Sequence, residues 1–230
     1  MTDAFPTPSD DGTPAPGSRA PSRRRLWIEL VALFVGVPVA MLASFGLYPL
    51  FPVLALLALV SAGLLAVTPG FRWRQLLEGG LLRHWRLIAV FTAIAVVSAG
   101  AAVLWLRPHA LLAMPVQRPA LWLTIMLLYP LVSALPQELI FRALFFHRYG
   151  TLFASRNALI AANAAAFGFG HLFYQNWVAI TLSAGAGAFI AYAYGRTGSF
   201  PLAWALHALG GMVLFTLGLG VFFYHGAVPR

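Results

Sequence analysis

Residues 120–142 read ALWLTIMLLYPLVSALPQELIFR, from Ala120 to Arg142. No charged side chain interrupts the run before Glu138, and about 20 apolar residues in a helix cross the ~30 Å hydrocarbon layer of a bilayer. The rest of the chain has the same character. Of its 230 residues 60% are apolar and 9% charged, a balance that would leave a soluble domain with large exposed apolar patches. Comparable runs lie at about 26–46, 48–67, 87–106, 120–148, 157–173, 177–195 and 200–223, bounded by Arg, Pro or Gly. The fold class is therefore all-α, a polytopic transmembrane helical bundle of about seven spans. Pro38 in the first run and Pro130 and Pro136 in the fourth predict kinks or broken helices, because proline removes an N–H and crowds the preceding turn.

Outward from these runs, residues 1–25 form a basic-ended tail rich in Pro, Ser, Thr, Gly and Asp, too polar to bury and expected to be disordered and cytoplasmic. Its end, Ser22-Arg23-Arg24-Arg25, reads either as a twin-arginine export signal or as a positive-inside flank, and the several hydrophobic runs that follow favour the flank. Residues 26–119 hold three membrane helices, with an interfacial helix expected near 70–86, where Arg, Trp and Leu interleave. The net charge of +9 comes from arginine alone. Apolar runs between the arginines point to membrane topology and lipid contact rather than to nucleic acid. With the N-terminus inside, Arg23 to Arg25, the 72–86 cluster, Arg142, Arg148, Arg156 and Arg196 all fall inside, and Arg107, Arg118 and Arg230 outside. This is the pattern of a multi-pass protein of a bacterial inner membrane. The absence of cysteine excludes disulfides, thiolate metal sites and cysteine nucleophiles.

The six acids are Asp3, Asp10, Asp11, Glu29, Glu78 and Glu138, and only Glu138 lies in the second half. Arg142, four residues on, shares its helical face. Taken alone, the two read as a structural ion pair. Context adds to that. Phe167-Gly168-Phe169-Gly170-His171 closes the next run, and a helical hairpin turning near 151–156 brings Glu138 and His171 to similar depth. His207 stands in the last span. Such a set can hydrolyse: the carboxylate takes a proton from water, while an imidazole orients the water or stabilises an oxyanion. Glu138, His171 and His207 could alternatively bind a metal as a two-histidine, one-carboxylate set, but no His-Glu-x-x-His spacing argues for zinc, so no cofactor is expected. The small residues at 161–166, 183–188 and 210–211 predict close helix packing, and Asn163 a supporting polar contact.

These residues resemble the CAAX prenyl protease and bacteriocin-processing family of intramembrane proteases. Its pattern is Glu-Glu-x-x-x-Arg, then Phe-x-x-x-His, then His-x-x-x-Asn or Asp, on successive membrane helices. Here the first motif appears as Gln137-Glu138 to Arg142, the second as Phe167 to His171, and the third begins at His207 and ends at Gly211. The resemblance covers about 120–223 and makes 120–230 the protease-like core. It implies an endopeptidase hydrolysing a peptide bond of a membrane-associated peptide or protein, with Glu138 as general base, His171 as its water-orienting partner, His207 as oxyanion stabiliser and Arg142 as counter-ion. Two positions depart from the pattern. Gln137 replaces the Glu usually assigned to activating water and has no proton-accepting carboxylate, and Gly211 lacks the expected side chain. A catalytically silent relative that binds membrane partners is the alternative that these departures suggest. A proton-coupled transporter is a further one, since buried Glu, Arg and His also mark proton paths.

Overall fold

The computed structural model describes residues 21–44 and 49–223. Most of the tail, together with Arg230, lies outside them. Every regular element among the described residues is helical. Seven principal helices follow the apolar runs in order: α1 (Arg23–Ala43), α2 (Leu50–Ala66), α3 (Leu81–Leu106), α4 (Pro119–Leu152), α5 (Arg156–Phe169), α6 (Trp177–Thr197) and α7 (Phe200–Leu217).

Five of the seven, all but α2 and α5, are long and apolar enough to cross a bilayer. At 17 and 14 residues and ~1.5 Å of rise per residue, α2 and α5 fall short of the hydrocarbon thickness. Their ends are polar or proline-bounded for local reasons. The Ser155 side chain caps the α5 N-terminus by accepting from Ala158 N–H, and Pro49 stands before α2 in extended backbone. Asn176 and Ser199 cap α6 and α7 in the same way, and Gly198 and Gly218 end them at positive φ.

The outer faces are apolar. Leu59, Val97 and Leu127 are each about 70% exposed, which only lipid makes tolerable. Exposed tryptophans sit at both ends of the bundle, Trp73 and Trp85 at one and Trp105 against Trp177 at the other, as amphipathic rings do at the two headgroup layers. Inside, α7 is the central helix, packed on α3, α4 and α6, while α5 lies along α6. Phe34, Phe91, Phe145, Leu144, Tyr149 and Leu206 fill the core.

Both ends are fastened. At the end holding the N-terminus, Arg148 makes a two-point contact with Glu29 (2.7 and 3.1 Å) and donates to Thr68 Oγ1 (3.0 Å), joining α1, α2 and α4. Arg23 donates to the Leu152 carbonyl (2.9 Å). At the opposite end Trp122 Nε1 donates to Thr216 Oγ1 (3.0 Å) and Asn176 Nδ2 to the Phe222 carbonyl (2.9 Å).

Two expectations change in the structure. The prolines do not break α1 or α4: the chain passes Pro38, Pro130 and Pro136 as helix, with π turns at Ala32–Gly36, Pro130–Ala134 and Leu139–Leu144. A wider turn absorbs the lost i→i−4 hydrogen bond without ending the helix. The segment near 70–86 is not one interfacial helix. It forms two 3-10 turns, Trp73–Leu77 and Leu81–His84, and the second leads directly into the long helix at Trp85. Gly79, at φ +91°, separates them, and Ser199 Oγ donates to its carbonyl (2.6 Å) where any side chain on Gly79 would collide with Ser199.

Candidate functional site

Glu138 and Arg142 both occupy the fully buried face of α4. Glu138 Oε2 lies 3.1 Å from Arg142 Nε, and Glu138 Oε1 lies 2.7 Å from His207 Nδ1 of α7. The Arg142 contact is one of charge rather than of hydrogen-bond direction, since Nε and both terminal nitrogens lack a hydrogen-bond partner. The guanidinium lies instead over the Phe167 ring, 4.6 Å from its centroid. A carboxylate only accepts, so the proton in the 2.7 Å bond sits on His207 Nδ1 and leaves Nε2 for other chemistry.

Phe167 joins the parts contributed by α5. Its ring lies 4.8 Å from the His171 ring and 5.3 Å from that of His207, centroid to centroid. His171 stands just beyond the end of α5, with Nδ1 2.7 Å from the Phe167 carbonyl. A carbonyl also only accepts, so His171 likewise has Nδ1 engaged and Nε2 left over. Phe167 is held from behind, because a side chain on Gly187 of α6 would meet its ring at 2.8 Å. Gly168 is as close to Ala184, so the small-residue stretches do serve close packing of α5 on α6.

A cavity of about 1690 Å³ opens beside this cluster. Tyr129, Ser133 and Gln137 of α4 line it, with His171 and with His207 and Gly211 of α7. Gln137 Nε2 donates to Ser133 Oγ (3.0 Å). Glu138 and Arg142 are not on the wall. Adjacent helical residues diverge by about 100°, and here Gln137 takes the cavity while Glu138 takes the interior. The hairpin brings Glu138 and His171 into one cluster, but no hydrogen bond joins them. The Glu138 carboxylate meets His207 and Arg142, and its link to His171 runs through the Phe167 ring.

The remaining candidates also have defined places. Asn163, fully buried on α5, donates from Nδ2 to the Phe141 carbonyl (2.5 Å), a group in the second π turn of α4, and does not reach the cavity wall. Gly211 is covered by Tyr129: a Cβ there would overlap the tyrosine ring and hydroxyl. Among the described residues, no group of three His, Asp or Glu side chains is placed to hold a metal ion. Tyr129 and Ser133 went unnoticed in the sequence. The signal was there in the spacing of Tyr129, Ser133 and Gln137, polar groups at i, i+4 and i+8 on one face of an apolar helix.

Fold and site together define a polytopic helical membrane protein with a buried carboxylate, guanidinium and imidazole cluster beside an intramembrane cavity. Residues 119–213 match the family model for type II CAAX prenyl endopeptidase, Rce1-like, so this part of an integral membrane protein is similar to that family. The matched segment holds all three motifs and runs from the start of α4 well into α7. No curated protein and no solved structure matches the chain.

Proposed function

We propose that this chain is an intramembrane endopeptidase of the CAAX-protease-like kind, in which His207 activates water and Glu138 acts through His207. The reading rests on the 2.7 Å bond from His207 Nδ1 to a fully buried Glu138, made by a histidine that also lines the cavity. A buried carboxylate behind an imidazole fixes its tautomer and stabilises the imidazolium formed when Nε2 takes a proton. Water between His207 and His171 loses that proton to His207 Nε2 and attacks the peptide carbonyl, while His171 orients it by accepting its second hydrogen. The proton then passes from His207 to the leaving amine. Arg142 balances the Glu138 charge at depth and touches neither water nor substrate. Glu138 is thus a positioning residue, because the wall position beside it belongs to Gln137.

The substrate is a membrane-associated peptide or protein reaching the cavity from lipid or from one bilayer surface. The arginine-rich end of the bundle, which holds the N-terminus, faces the cytoplasm. In proteoliposomes the wild-type protein should cleave an internally quenched peptide ending in a farnesylated Cys-aliphatic-aliphatic-X sequence. His207→Ala and His171→Ala should each lose cleavage while still accumulating in the membrane. Full activity in either variant would reject the assignment.

One observation favours the alternative of a silent, partner-binding relative: the wall position next to Glu138 carries an amide already bonded to Ser133. Gln137→Glu separates the two. In a working site it adds a carboxylate to the cavity and should raise turnover, whereas a silent relative gains no hydrolysis.

A further inference from the structure

The third motif ends in Gly211, where the resembling family has an amide or carboxylate side chain one turn from the histidine. The space for that side chain is not vacant. A Cβ built on Gly211 would overlap Cε1, Cζ and the hydroxyl of Tyr129, which reaches over from α4. Tyr129 lines the same cavity as His207 and His171, and its ring lies 6.1 Å from that of His207, centroid to centroid. The loss at 211 and the tyrosine at 129 are therefore one steric arrangement, in which a polar group leaves α7 and another enters from α4 at the same point.

We infer that Tyr129 supplies the oxyanion-stabilising donor of this site, with its hydroxyl in the place left by Gly211. The inference rests on the hydrolytic reading of the cavity. A phenol is protonated at neutral pH and donates one hydrogen bond. The neighbouring hydroxyl, that of Ser133 one turn along α4, is hydrogen-bonded to Tyr129, and because Ser133 Oγ accepts from Gln137 Nε2 its own proton is the one donated to the Tyr129 oxygen. That leaves the Tyr129 proton for the cavity. When water activated at His207 attacks a carbonyl carbon, the carbonyl oxygen takes the electron pair of the broken π bond. A donor about one helical turn from the base, on the wall of the same cavity, is placed to meet that charge. The aromatic body of Tyr129 meanwhile packs edge-on against Phe215 at 5.7 Å, so the hydroxyl is carried on a braced ring.

The test is Tyr129→Phe, which keeps the ring packing and removes only the donor. With the farnesylated peptide, kcat should fall about 10²–10³-fold, the usual cost of one lost oxyanion donor, while KM stays nearly unchanged. A second readout needs no turnover. A farnesylated peptide phosphonate, whose P–O⁻ mimics the tetrahedral oxyanion, should lose at least tenfold more affinity in Tyr129→Phe than an uncleavable N-methyl peptide of the same sequence. Tyr129→Ala with Gly211→Asn should recover much of the activity that Tyr129→Ala loses, because the α7 donor then has room. Wild-type kcat in Tyr129→Phe, or equal loss of affinity for phosphonate and N-methyl peptide, overturns the inference. A wild-type protein that cleaves nothing rejects the peptidase reading instead, and the ratio of the two affinities still decides the role of the hydroxyl.

Discussion

Glu138 shows how one side chain can be structural and functional together. It carries the charge of Arg142 and the tautomer of His207 from a position with no exposed surface. Removing one member of a buried pair leaves the other uncompensated, at a cost of about 3–5 kcal/mol. Glu138→Gln should therefore lower thermal stability in detergent markedly as well as abolish cleavage. His207→Ala should abolish cleavage with a smaller stability loss, because Glu138 keeps Arg142. Thermal unfolding of the two variants side by side checks this, and equal stability losses would mean that His207 is as structural as Glu138. At this scale the sequence was informative about residue choice and silent about direction. The rarity of acids singled out Glu138, and helical spacing paired it with Arg142. Whether position 137 or 138 faced the cavity depended on the rotation of α4, set by tertiary packing and by two π turns whose effect on that rotation the prolines at 130 and 136 do not specify.

Between elements, the site depends on how closely α5 can approach α6. Phe167 touches Arg142 and both histidines and is itself seated on Gly187. Gly187→Ala should push the Phe167 ring out of place, costing about 1–3 kcal/mol of overpacking and a large part of any catalytic rate. Gly63 on α2 is the control, since a Cβ there meets nothing within 4 Å. Gly63→Ala should leave activity intact and stabilise by up to about 1 kcal/mol through helix propensity. If both substitutions behave alike in melting temperature and rate, the glycine at 187 has no part in seating Phe167. The order of the helices was legible from apolar runs because lipid demands them wherever the chain crosses, but the expected seven spans exceed the five helices long enough to cross, since α2 and α5 fall short. The segment near 70–86 was misread as a single helix for an equally physical reason. Its Arg, Trp and Leu pattern is that of any interfacial segment, and only the contact of Gly79 with Ser199 reveals the break.

Across the whole molecule, most of the described arginines lie toward the end away from the cavity, while Arg107 and Arg118 are on its wall. Arg23, Arg72, Arg83, Arg148, Arg156 and Arg196 belong to the end that holds the N-terminus, whereas Arg107 and Arg118 belong to the other. The cavity wall includes Ser44, Leu50, Met114, Gln117, Tyr174 and Phe223 from the arginine-poor end. Thr68, Tyr149 and Phe200 from the arginine-rich end contribute nothing to it. If the arginine-rich end is cytoplasmic, as the positive-inside rule directs, the aqueous mouth of the site faces away from the cytoplasm, and the polar part of a substrate has to arrive from that side or through lipid. The chain has no cysteine, so single cysteines report sidedness without background. In intact cells, Gln117→Cys on the cavity wall and Val116→Cys, 75% exposed beside it, should react with a membrane-impermeant maleimide added outside. Leu77→Cys, 83% exposed in the arginine-rich loop, should react only after permeabilisation. The reverse pattern would turn the molecule over and open the cavity to the cytoplasm. Because the two ends exchange together, it would leave the cavity at the end opposite the N-terminus and change only the compartment from which the substrate comes.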